Sequence, residues 1–167
     1  MTHSAILHRA GVLAVLALAG CAETHTLAPP AEVDVVDRLH IKAPYPATVD
    51  ADGKPGAEGV KVHVFMESAG QDAPALAKGK LDFAMYPGRL SRKALVMAEP
   101  LEVWHFSAEE LADSAKRDNL FGYFYPLVLL WGQEGPRTAV VTLMAKYTAP
   151  NGQTAYPQAP LVVRVGN

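Results

Sequence analysis

From residue 35 onward, apolar side chains recur at every second position. Val60, Val62, Val64 and Met66 alternate with Lys61, His63, Phe65 and Glu67, and Leu81, Phe83 and Met85 alternate with Asp82, Ala84 and Tyr86. Val141, Leu143 and Ala145 repeat the pattern against Thr142, Met144 and Lys146. Successive side chains of an extended chain point to opposite faces, so this period predicts strands with one face buried. Shorter apolar runs at 39–42, 94–98, 101–106, 123–131 and 161–165 bring the expected total to seven or eight strands. Between them stand turn formers such as Ala69-Gly70, Pro87-Gly88 and Pro150-Asn151-Gly152, which supply positive φ or a fixed bend. Pro157 and Pro160 confine the strand returning from the last of these turns to an edge or a bulge.

One segment has a different period. Ser107-Ala108-Glu109-Glu110 has capping-box spacing, and Ala108, Leu111, Ala112 and Ala115 fall on one helical face. This predicts a helix over about 108–118, ending on Lys116 and Arg117. The expected fold is therefore mainly β: an antiparallel β-sandwich of immunoglobulin-like or C2-like type, interrupted by one short helix.

The first twenty residues do not fit this plan. Residues 10–20 contain no polar side chain, and Arg9 is the only basic residue before Cys21. The run is about half the roughly 20 residues that a spanning helix needs, which is the proportion of an export signal. Leu18-Ala19-Gly20-Cys21 resembles the lipobox of bacterial lipoproteins at all four positions. The resemblance implies that the signal is removed before Cys21 and that Cys21 carries acyl chains such as palmitate. Each buried methylene adds about 0.8 kcal/mol, so several chains hold a protein firmly on a membrane while its polypeptide stays in water. Ala22 lacks the Asp that favours inner-membrane retention in that family, so the outer membrane is expected where the source has two.

Residues 22–34, with Pro29-Pro30, read as an extended tether. The organisation expected is a signal over 1–20, an acylated Cys21 and tether over 21–34, and one folded domain over 35–167. The order Trp104-x-Phe106-Ser107-x-Glu109-Glu110-Leu111, followed by Gly122-Tyr123 and an apolar strand ending at Trp131, is similar to a group of uncharacterised envelope lipoproteins, from which no activity follows.

Composition narrows the function. With 15 basic and 17 acidic groups among 167 residues, the clustered positive charge that drives nucleic-acid binding is missing. The single cysteine cannot form an internal disulfide. No serine stands in a Gly-x-Ser-x-Gly elbow. For a metal, Asp50 and Asp52 open a calcium-like loop with Glu58 downstream, but its later ligands are missing and Asp-Gly also serves turns. His40, His63 and His105 show no ligand spacing, although three strands could bring them together. No cofactor is expected.

The aromatics are more suggestive. Seven of the thirteen lie between 104 and 131. Tyr123, Tyr125, Leu127, Leu129 and Trp131 share one face of a strand, and Phe124, Pro126, Val128 and Leu130 share the other. This predicts a central strand covered on one side by the opposite sheet and on the other by the 108–118 helix. The alternative is an exposed aromatic platform for a glycan or a partner chain, with Trp104 or Tyr125 as the glycan contact. The expected function is a non-enzymatic binding or scaffolding module, anchored through Cys21 at the cell envelope, with an envelope protein or a glycan as partner. A small metal-dependent hydrolase using the histidines or Asp50 is the alternative from another class.

Overall fold

Wherever Val, Leu and Met alternate with polar residues, the chain is extended and pairs antiparallel. The structure, a computed structural model, describes residues 32–50, 56–131 and 135–166. The expected signal over 1–20, Cys21, the expected tether up to residue 31 and Asp52 lie outside the described residues.

The described elements are, in order, β1 Glu32–Val33, β2 Arg38–Lys42, β3 Thr48–Val49, β4 Gly59–Glu67, β5 Leu76–Ala77 and β6 Lys80–Pro87. They continue with α1 Arg92–Leu95, β7 Glu102–Phe106, α2 Ala108–Ser114, β8 Lys116–Asp118 and β9 Gly122–Leu130. The last three are β10 Val140–Thr148, β11 Thr154–Ala155 and β12 Leu161–Arg164.

The described residues are mainly β, with two antiparallel five-stranded sheets. In one, β9 lies along one edge of β4, β2 and β3 share its other edge, and β8 pairs beyond β9. In the other, β6 pairs with β10 and β7, while β11 and β12 share the far edge of β10. The prolines at 157 and 160 thus sit where a missing N–H costs no ladder bond.

The inward rows of both sheets form one hydrophobic cluster. Val60, Val62, Val64 and Met66 of β4 and Tyr125, Leu127 and Leu129 of β9 meet Leu81, Phe83 and Met85 of β6 and Val141, Leu143, Ala145 and Tyr147 of β10. Burying a side chain of this size contributes about 1.5–3 kcal/mol, so these rows fix the pairing register.

Two predicted elements are corrected. The run 94–98 is not a strand. Ser91 caps α1, its hydroxyl accepting from the Ala94 N–H, and of the α1 residues only Leu95 is buried. Arg, Lys, Ala and Leu are all good helix formers, and no neighbouring strand offers this segment a ladder. The second helix keeps its capping box, with Ser107 and Glu110 bonded reciprocally, but it ends at Ser114, where Ala115 turns extended at ψ 132. Lys116 and Arg117 belong to β8, which pairs with the start of β9. The Asp118 carboxylate accepts from the Leu120 and Phe121 N–H groups at 2.7 and 3.0 Å and closes this hairpin.

The chain runs directly from α2 into an edge strand, which keeps α2 at the side of the structure. It packs against β6 and β7 of one sheet and β9 of the other, with Leu111 in the core. The outer face of β9 is therefore not covered by the helix, contrary to the prediction. Val128 and Leu130 are 47% and 54% exposed.

Regular pairing begins at the first described residues. Val33 is buried and β1 pairs parallel with β5. Two tyrosine hydroxyls hold this pair against the sheets. Tyr125 Oη accepts from the Ala77 N–H at 2.7 Å, and Tyr147 Oη accepts from the Gly79 N–H at 3.0 Å while donating to the Asp34 carbonyl at 3.1 Å.

Candidate functional site

Strand β4 carries an aromatic on its otherwise polar row. Phe65 lies beside His63 and Lys61 on the outer face, and the antiparallel register sets Lys61 against Val128 and His63 against Pro126 of β9. Phe124 completes the row, its ring 5.9 Å from that of Phe65 and stacked at 23°, and 5.0 Å from the His63 imidazole. Lys42 of β2 places its ammonium 5.3 Å from the centre of the Phe65 ring. Lys116 of β8 pairs opposite Phe124. The result is an apolar strip running from Phe65 and Phe124 to Leu130, edged by lysines.

At one end of the strip, exposed Leu120 and Phe121 of the β8–β9 turn overhang a depression of about 220 Å³ beside His40, Lys42 and Phe65. An exposed run of this kind, rimmed by charge, is the usual form of an interaction surface. It offers shape, aromatic faces and positive charge.

Partial burial pushes the His63 imidazole below its ordinary value of 6.5, and the nearby Lys116 ammonium pushes it in the same direction. The folded state therefore prefers neutral His63, so stability increases with pH where the unfolded chain is still protonated. Its contribution is present above pH 6.5 and is lost as the pH falls below that value towards the lower folded value. Thermal melts from pH 7.5 to 5 should show a decline that His63→Gln reduces. Identical profiles for the two proteins would show that His63 is not responsible. Glu110 titrates in a separate window, because its bonds to Ser107 hold the carboxyl below its ordinary 4.5.

The residues singled out in the sequence are not assembled into one site. Tyr125 is fully buried, with its hydroxyl engaged by Ala77, so it offers no platform; its row faces the opposite sheet. Trp104 is half-buried against the core, and its indole N–H donates to the Leu130 carbonyl at 2.7 Å, tying β7 to the free edge of β9. The histidines do not converge. His40 lies 3.6 Å from Glu67, the His63 ring is tilted at 51° to that of Phe124, and His105 of β7 stands in the other sheet, 2.7 Å from Asp82. The Glu58 backbone joins Val49 and Trp131. Among the described residues, no group of three or more His, Cys, Asp or Glu could hold a metal ion.

Sequence reasoning missed Phe65, Phe124 and Lys42 as a group. One signal was visible, a phenylalanine on the polar row of β4. Its partners come from strands distant in sequence. Among the described residues, no helix is long and apolar enough to cross a membrane. No protein-family model matches the chain, and neither a curated protein nor a solved structure matches it.

Proposed function

We propose that this is an exported bacterial lipoprotein, anchored by acyl chains on Cys21, whose folded part is a non-enzymatic binding module of the cell envelope. In this reading the sheets form a sandwich of immunoglobulin-like or C2-like type. The strip from Phe65 and Phe124 to Leu130 is the surface it offers to a protein partner. The observation that carries the reading is this open face, where Val128 and Leu130 stay about half exposed in line with the stacked phenylalanines, while the opposite rows of β4 and β9, Val60 to Met66 and Tyr125 to Leu129, are buried. The lipobox-like Leu18-Ala19-Gly20-Cys21 supports the anchor, and the outer membrane is favoured where there are two.

The anchor is tested by Cys21→Ser. Expressed in a bacterial host with a fatty-acid probe, the natural chain should be labelled and processed, and the variant neither. Continued labelling of the variant would remove the anchor from this reading. The surface is tested with a photo-cross-linking residue at Phe124 in living cells. A discrete adduct is expected there and none from Thr154, which lies exposed in the other sheet. Equal yields at the two positions would exclude the strip as a specific interface.

A further inference from the structure

Between β6 and β7 the chain leaves the sheet, makes the single turn of α1 and returns. The foot of this projection is fixed. The buried Thr142 hydroxyl accepts from the Leu90 N–H at 2.9 Å and donates to the Gly88 carbonyl at 2.7 Å, and on the return limb the Leu101 N–H donates to the Met85 carbonyl at 2.7 Å. Its tip presents two adjacent large apolar side chains to water, Val96 at 79% and Met97 at 88% exposure. The same projection carries exposed Arg92 and Lys93 on α1 and exposed Arg89 at its foot, none of which makes an ion pair among the described residues. Glu99 and Glu102 lie on the return limb.

Neither the cations nor the apolar pair contributes to the packing beneath them, where Leu95 alone is buried. Together they match a surface that is apolar in depth and negative at its face. We propose that the 88–101 projection is a second membrane contact, in which Val96 and Met97 enter the headgroup region of an anionic bilayer and Arg89, Arg92 and Lys93 pair with lipid phosphates. The fixed foot presents the tip already formed, so little conformational freedom is lost on contact. The inference rests on the reading that Cys21 anchors the chain, since the anchor is what holds the projection within reach of a bilayer.

The test places an indole at the tip with Met97→Trp in the full chain. The protein is mixed with vesicles of equal parts phosphatidylglycerol and phosphatidylcholine carrying brominated acyl chains, which quench only an inserted indole. Quenching beyond that of the unsubstituted protein is expected, with little in vesicles of phosphatidylcholine alone. Arg92→Gln and Lys93→Gln should each weaken the response about fivefold, and high salt should remove it. These residues are exposed, and unchanged melting temperatures will show that the fold is intact.

An unquenched indole with anionic vesicles, or equal quenching with neutral ones, overturns the proposal. Fatty-acid labelling keeps the two readings apart. A labelled protein with an unquenched tip refutes the projection alone, and an unlabelled one refutes the anchor.

Discussion

Gly79→Ala should destabilise the protein by about 3 kcal/mol or more, a drop of roughly 10 °C in melting temperature. Gly79 links β5 to β6 where the chain crosses the end of β10. A Cβ there would fall far inside van der Waals contact with the Thr148 carbonyl oxygen and 2.6 Å from Cζ of the Tyr147 ring. Neither obstacle can move freely, because Thr148 pairs in register with Lys80 and Tyr147 is fully buried. Overpacking a fixed core typically costs about 1–3 kcal/mol, and a clash with backbone lies at or above the top of that range.

Gly152→Ala provides the contrast. Gly152 has φ +87 but nothing within 4 Å of the added carbon, so only the left-handed backbone penalty of about 1–2 kcal/mol applies. Thermal melts of the two variants measure the difference. A Gly79→Ala protein as stable as Gly152→Ala would show that the β5–β6 link yields where the geometry says it cannot.

The second large effect is expected at Tyr147. Its ring fills the core and its hydroxyl serves Gly79 and Asp34. Tyr147→Ala should cost about 3–5 kcal/mol through the cavity it leaves. Tyr147→Phe keeps the ring and should cost about 1–3 kcal/mol, because the Gly79 N–H and the Asp34 carbonyl lose a partner. The milder variant should also act locally. Asp34 follows β1, and the ties that remain there include the β1–β5 pairing, the Lys78 N–H donating to the Val33 carbonyl and the Lys78 ammonium 3.0 Å from Glu32 and 3.8 Å from Asp34. A surface ion pair of that kind contributes little. Limited proteolysis of Tyr147→Phe should therefore cut near residues 32–36 sooner than in the natural protein, with faster amide exchange at Gly79. A uniform loss of protection across the chain would mean that Tyr147 is only a packing residue.

Burial also explains why both tyrosines, Tyr125 and Tyr147, resist ionisation. Each hydroxyl is pushed above its ordinary value mainly by loss of water, although a backbone N–H bond pulls the other way.

The long strands were legible because their evidence is local. In Val60 to Met66 and Leu81 to Met85, period two in the residues becomes two faces of one strand whatever else the chain does. The capping box at Ser107 was legible for the same reason. The end of that helix was not, since Ala115, Lys116 and Arg117 are all acceptable in a helix. Only pairing with β9 makes them extended. At 94–98, an apolar pattern of strand length lacked a neighbour to pair with, and the Ser91 cap took it into a helical turn.

The aromatic row of β9 shows the limit most clearly. Its division into two faces was readable, but the cover over each face was not. Tyr125 met the opposite sheet, whereas Phe124, Val128 and Leu130 met no covering element because α2 was drawn to the edge. The candidate strip therefore had no sequence signature beyond the misplaced Phe65.

By itself, then, the amino-acid sequence determined the predominance of strands, the position of the turns and the short motif around Cys21, all of which depend on residues within a few positions of one another. The tertiary structure decided which apolar faces are core and which are open. Burial depends on strands that meet from distant parts of the chain, and an apolar side chain reads the same in sequence whether or not it is covered.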